Sequence, residues 1–365
     1  MVCTRNYFSK NYTQARECFI DLARRAGAQL DGYELSVKGP GGETLTTDIA
    51  WLGDPSAKRI LVVQSGVHGV EAFAGSAIQC WLLRSTPVIS EESALVLVHV
   101  INPYGMAWQR RVNGSNVDLN RNCLGPEESY SGAPAAYEGI NKLINPTSPP
   151  YRDGFLLKAL YRLVRNGMAP LRQAIARGQY EYPAGLFYGG SRLQQEPALL
   201  QQWLREHIIS VEQLMVIDIH TGLGRFGEQQ IYSAFALQRA TRSHLEKALD
   251  KRVFVHDEGG DSYLIKGGVS ALYKELFGPV DPQYLTVEFG TLSLVKMLSA
   301  LREENRHHFY SGGSLDHWAK KALMNASCPD SSAWKEQVVS MGGKLVGNAL
   351  ALLCRTTAFG PAPDT

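Results

Sequence analysis

Hydrophobic positions along this chain follow two patterns, one spaced at three and four residues and one nearly continuous over short stretches. Residues 9–27 place Ala15, Cys18, Phe19, Leu22 and Ala26 at helical spacing and close on Gly27, a C-terminal stop. Tyr33 to Val37 and Leu45 to Leu52 alternate instead, and the Gly-Pro-Gly-Gly run at 39–42 joins them as a predicted hairpin. Ile60 to Val63, Ala94 to Ile101 and Gln213 to Ile219 read as strands buried on both faces. Further strands are expected over 229–235 and 283–289, and helices over 72–84, 153–178, 196–210, 241–250, 292–304 and 332–355. Strand 60–64, helix 72–84 and strand 94–101 in succession imply a crossover. The expected fold is α/β, a mixed and mainly parallel twisted sheet with helices on both faces. The polar, Gly/Pro/Ser-rich 125–150 and the segment up to 210 look like an insertion within a single domain of 365 residues, and 357–365 looks like a frayed tail.

Composition narrows the classes. The chain is 44% apolar and 20% charged with a net charge of +2, so nothing favours a nucleic-acid partner. No signal-peptide core opens the chain, and no stretch approaches membrane-spanning length. The six cysteines are scattered without a C-x-x-C pair, so reduced thiols and a cytoplasmic setting are expected. Cys123 reads as a small buried hydrophobe.

Chemistry gathers where predicted strands end. His68 and Glu71 follow strand 60–64 on a Gly-flanked turn, and a histidine and a carboxylate three apart can meet one cation. They make two thirds of a catalytic zinc site. His220 ends the strand from 213 and Glu288 the strand from 283, and sites in open α/β sheets collect at such carboxyl ends. Other histidines read differently. His99 sits in Val-Leu-Val-His-Val as a core residue, His256-Asp257-Glu258 reads as a solvated acidic turn, and His307 and His308 read as exposed residues past a helix end.

The ordered phrases His68-Gly-Val-Glu71, Asn102-Pro-Tyr-Gly105, Arg111-Val-Asn113, Asp118-Leu-Asn120-Arg121-Asn122, Asp218-Ile-His220-Thr221 and Thr286-Val-Glu288-Phe289 resemble the zinc carboxypeptidase family across roughly 55–300. A bacterial branch of that family is similar in its Gly-Val-His-Gly-Val-Glu and Gly-Leu-Phe-Tyr-Gly-Gly phrases. The resemblance implies one zinc ion held by His68, Glu71 and His220, with Glu288 as general base. It also implies Arg111 for the oxyanion, with Arg110 a competitor, and Asn120 and Arg121 for the substrate's carboxylate. Asp118 would orient the loop, and Tyr263 would be the substrate-binding tyrosine. Thr221-Gly-Leu-Gly224 is closer to the aspartoacylase and succinylglutamate desuccinylase deacylases. The Tyr-rich loop 180–190 is open to three readings: a lid, packing material or a dimer contact. Carboxypeptidase-like cleavage of small peptides is the leading expectation, with N-acyl amino acid deacylation and a catalytically silent zinc-binding module as alternatives. The expected partner is a small peptide or acyl-amino acid, without nucleic acid or membrane, and homo-oligomerisation is left open.

Overall fold

The two segments expected to alternate become the edge strand and its neighbour, and the continuous runs the central strands of one sheet, though 45–52 is buried at every position because it is covered on both faces. The computed structural model describes residues 7–151, 153–167, 177–255 and 265–355. Its strands are β1 Gln29–Lys38, β2 Thr44–Gly53, β3 Arg59–Ser65, β4 Ser93–His99, β5 Gln213–Gly222, β6 Gln229–Ser233, β7 Val253–Val255 and β8 Gln283–Gly290. They pair in the order β1-β2-β4-β3-β5-β8-β6-β7. The central pairs β4/β3, β3/β5 and β5/β8 are parallel, as is β6/β7, whereas β1/β2, β2/β4 and β6/β8 are antiparallel. The sheet is mixed and mainly parallel, as expected. Helix Ala72–Ser85 makes the crossover between β3 and its neighbour β4.

One face of the central strands carries Leu61, Val63, Met215, Ile217, Leu285 and Val287. Against it pack Phe19 and Leu22 of helix Tyr12–Arg25, Ile78 and Leu82 of Ala72–Ser85, and Trp334, Val338, Val346 and Leu350 of Ser332–Arg355. The other face carries Ile60, Val62, Val216 and Tyr284 under Leu200 and Trp203 of helix Gln195–His207 and Leu272 and Tyr273 of Ser270–Phe277. Burying large apolar side chains on both sides stabilises each by roughly 1.5–3 kcal/mol. The sheet is therefore a rigid floor for whatever its strand ends carry.

Several expectations need correction. Helix Leu294–Tyr310 runs past 304, and Arg302, Glu303, Glu304, Asn305, Arg306 and His307 are all buried. The charges are buried because they are paired: Arg302 with Asp153 and Glu303, Arg306 with Glu303 at 3.0 Å, and Glu304 with Arg110 at 3.0 Å and Lys320 at 2.6 Å. His307, expected to be exposed, lies inside and stacks on His317 at 3.8 Å. Helix Ser332–Cys354 is long and apolar enough to cross a membrane by length and composition, against expectation, but its apolar side chains supply part of the core. Cys80, Cys123, Cys328 and Cys354 are free thiols. Cys18 is disulfide-bonded, so the expectation of six reduced thiols fails there. Tyr263, His256-Asp257-Glu258 and the 357–365 tail lie outside the described residues.

Candidate metal centre

β3 delivers the chain to the site, and two glycines let it turn there. Gly66 has φ +73, and a Cβ on it would meet Ala72 and Val100 side chains at 2.8 Å. A Cβ on Gly69 would lie 2.0 Å from the Gly105 carbonyl carbon, so the turn can sit directly on the 102–111 loop. Two bonds fix that seat: Gly69 N–H donates to Arg111 O at 3.0 Å and Val70 N–H to Arg110 O at 3.0 Å. His68 then caps a short 3-10 turn, Gly69–Glu71, and both side chains are buried.

His220 arrives from the neighbouring strand. β5 pairs with β3 so that Ser65 faces Ile219, which places His220 next to the turn. His68 Nδ1 lies 2.8 Å from Glu71 Oε1, His220 Nδ1 lies 3.0 Å from Glu71 Oε2, and the two Nδ1 atoms are 3.3 Å apart. His68, Glu71 and His220 are thus a group that could hold a metal ion, with their ligand atoms within 4.8 Å of one another. Each outer imidazole nitrogen meets a carboxylate: His68 Nε2 is 3.2 Å from Asp118 Oδ1, and His220 Nε2 is 2.9 Å from Asp218 Oδ2. A carboxylate on the far nitrogen fixes tautomer and ring orientation and is the usual support of a metal-binding histidine. The donor set fits a divalent cation.

The charges respond to this crowding. Burial alone would push the Glu71 carboxyl up, but His68 and His220 hold it far below the usual range. Asp118 also resists its burial and is held well below the usual range by Arg111 and then His68. Burial opposes a charged His220, yet Asp218 and then Glu71 raise its pKa well above the ordinary value in the metal-free protein.

Glu288 stands opposite His220 in the β5/β8 register, so both side chains leave the sheet on the same face. It is half-buried, and its Oε2 has no hydrogen-bond partner. Burial, with Glu71 adding repulsion, pushes its carboxyl up to about 7, although His220, His68 and Arg111 pull the other way.

The two neighbouring arginines part company. Arg111 donates to Asp118 Oδ2 at 3.1 Å and to Glu71 Oε1 at 3.3 Å, and its guanidinium lies 5.8 Å from the Phe187 ring centroid. Arg110 turns away into the buried network, binding Glu304 and Asn116. Asn120 and Arg121 are both buried beside Asp118: Asn120 N–H donates to Asp118 Oδ1 at 3.0 Å, its side-chain oxygen accepts from Val269 N–H at 3.3 Å, and Arg121 Nη1 donates to Asn120 O at 2.6 Å. The 180–190 loop walls the site, with Tyr188 O accepting from Asp118 N–H at 2.7 Å.

Asp218, Tyr284 and Phe187 were given no role of their own from the sequence, although Asp218 and Phe187 stand in phrases quoted above. Asp218 had a signal, because in a strand residues two apart share a face and Asp218 must lie beside His220. Tyr284 lies within an expected strand and Phe187 within the Gly-Leu-Phe-Tyr-Gly-Gly phrase, and neither had a mark of its own.

A family model described as Protein of unknown function (DUF2817) matches residues 8–341, and the chain belongs to that family. No curated protein matches the sequence. Among solved structures, the chain is similar to a murein-tripeptide amidase from Escherichia coli O157, at 15% identity and TM-score 0.37, covering 76% of this chain and 91% of that one. It is also similar to a metallo-carboxypeptidase from Burkholderia cenocepacia, at 13% identity and TM-score 0.47, covering 95% and 70% respectively. A succinylglutamate desuccinylase from Chromobacterium violaceum shows 12% identity and TM-score 0.38, covering 81% and 74%.

Proposed function

We propose that this member of the DUF2817 family is a zinc-dependent hydrolase that cleaves an amide bond beside a free carboxylate, acting like a carboxypeptidase on small peptides. The observation that carries the reading is the convergence of two imidazole Nδ1 atoms and both Glu71 oxygens, with an unpartnered Glu288 oxygen on the neighbouring strand. Two histidines and one carboxylate are a common ligand set of catalytic zinc. Zinc held there supplies Lewis acidity toward a carbonyl oxygen and toward water.

The chain's own groups do the rest. Glu288 is poised near neutrality in the metal-free protein and would fall once a cation sits beside it, which suits a base taking a proton from water. The same carboxyl then protonates the leaving amine. Arg111, held by Asp118 and Glu71, keeps a fixed positive charge in place to stabilise the oxygen that gains charge on the substrate. Asn120 and Arg121 beside it would grip the substrate's carboxylate.

The test combines metal analysis with substrate profiling of protein purified without chelator. About one zinc per chain is expected, with release of C-terminal residues from short peptides; release of an acid from acyl-amino acids instead would mark a deacylase. Glu288→Gln should keep the metal and lose roughly 10²–10⁴-fold in turnover. A metal-free protein that takes up no added zinc, or a Glu288→Gln variant as active as the parent, overturns the reading.

A further inference from the structure

Behind His220 lies a chain of buried polar groups that the reaction itself does not use. Tyr273 O–H donates to Gln64 Oε1 at 2.7 Å, Gln64 Nε2 donates to the Tyr284 hydroxyl at 2.7 Å, and Tyr284 O–H donates to Asp218 Oδ2 at 2.7 Å. Asp218 Oδ2 in turn faces His220 Nε2 at 2.9 Å. All five side chains are buried, and their exposure nowhere exceeds 2%. Register builds the array. Gln64 on β3 pairs with Asp218 on β5, and Tyr284 on β8 pairs with Val216, one step down the same face. Tyr273 reaches in from helix Ser270–Phe277.

The donors leave the array one consistent direction. A carboxylate is only an acceptor, so Asp218 must receive from both Tyr284 and His220. Tyr284 has one proton, and once that goes to Asp218 its oxygen can only accept from Gln64. The Gln64 amide must therefore aim its nitrogen at Tyr284 and its oxygen at Tyr273. With the amide reversed, two acceptors would compete for one phenolic proton and a buried group would go unsatisfied, at about 1–3 kcal/mol. At the end of this sequence the Nε2 proton of His220 is fixed toward Asp218, so Nδ1, which faces His68 and Glu71, is the nitrogen that would be free to meet a cation once its own proton leaves.

We infer that Tyr284 and Gln64, braced by Tyr273, are positioning residues that fix the tautomer and angle of His220 and so set the metal affinity of the site. The inference rests on the reading of His68, Glu71 and His220 as metal ligands, but not on what is hydrolysed. Residues of this kind act through Asp218 and touch neither metal nor substrate.

The test is Tyr284→Phe, which removes one hydroxyl and keeps the ring, with Tyr273→Phe as its graded companion. Zinc affinity is measured by chelator competition and ligand geometry by the visible spectrum of the cobalt(II)-loaded protein. Tyr284→Phe is expected to weaken zinc by about 10–100-fold and to change the cobalt spectrum, and Tyr273→Phe to do the same to a smaller extent. Melting of the metal-free variants measures any purely structural effect separately. If both variants lower the metal-free melting temperature but bind zinc and cobalt like the parent, the residues are only core and the inference is overturned. If the parent binds zinc tightly yet hydrolyses no amide, the functional reading falls while this one is still decided by the affinities. If the parent binds neither metal, both fall.

Discussion

The two histidine–carboxylate arms of the site do the same job with opposite materials. The His68 arm is carried by loops. Asp118 sits on the irregular stretch after 111, and it is shared between His68 and the cationic Arg111. The His220 arm is carried by strands. Asp218 precedes His220 by two residues on β5, and its further support is a phenol, an amide and a second phenol, all neutral. A loop cannot hold a side chain by register, so charge does it there. A sheet holds by register, and neutral hydrogen bonds suffice. The loop arm should therefore depend on charge on both sides of its carboxylate, and the sheet arm on charge only where Asp218 meets His220 and on hydrogen-bond direction behind it.

The largest expected contrast is between the two carboxylates. Asp118→Asn removes a fully buried charge and leaves the Arg111 guanidinium with Glu71 as its remaining acidic partner. Breaking a buried pair in this way costs about 3–5 kcal/mol. Above the raised His220 pKa, where that imidazole is neutral, Asp218→Asn removes a charge whose hydrogen-bond partners are a hydroxyl and a neutral imidazole, so at alkaline pH the loss is closer to that of a compromised buried hydrogen bond, about 1–3 kcal/mol. Urea unfolding of the two metal-free variants measures both. Equal losses would mean that the loop arm is not held by charge.

Acid and base should separate the arms next. The Asp118 carboxyl lies below its ordinary pKa in the folded protein, so its stabilisation is present above the unfolded value and is lost as pH falls through the folded one. Metal-free His220 lies above its ordinary value of 6.5, so its stabilisation is complete below that pH and is lost as pH rises through the folded value. Metal-free protein should therefore lose stability below about pH 4 through the loop arm and above about pH 6.5 through the sheet arm. Asp118→Asn should flatten the acid side and Asp218→Asn the alkaline side of the stability curve. Reversed effects would break the assignment.

This asymmetry also decided what could be read in advance. His68 and Glu71 were visible because a glycine-flanked turn after a strand announces itself in the chain. His220 and Glu288 were visible because each stands at or near the end of an apolar run, but the strand order that makes their strands neighbours was not read from the sequence. The paired register that puts His220 against Glu288 came with the strands. Tyr284 and Gln64 were not visible as site residues, because a tyrosine or glutamine in a buried strand has no local mark. Only the alignment of three strands shows that they meet. The same blindness explains His307: a run of seven polar residues, 302–308, reads as a helix ending in solvent, and the distant partners Asp153, Arg110 and Lys320 that keep it inside cannot be seen locally. Apolar period is a local signal, whereas polar pairing is a global one.

The smallest expected effect lies on the outer side of the loop arm. Phe187 is buried with φ +58, a left-handed conformation that costs a bulky residue about 1–2 kcal/mol. It stays because the loop around it is bonded on both sides: Phe187 O accepts from Gln179 N–H at 3.0 Å, and Tyr188 O from Asp118 N–H at 2.7 Å. Its ring faces the Arg111 guanidinium at 5.8 Å. Phe187→Leu keeps the strain and most of the burial but removes the ring, so stability should fall by about 0.5–1 kcal/mol. Metal affinity should not change, because the Asp118–His68 contact does not pass through this side chain. Turnover should fall more than affinity, because Arg111 would lose the surface that limits its swing. If zinc binding weakened in step with turnover, the loop arm would extend beyond its charges to the aromatic wall, and the two arms would be more alike than their materials suggest.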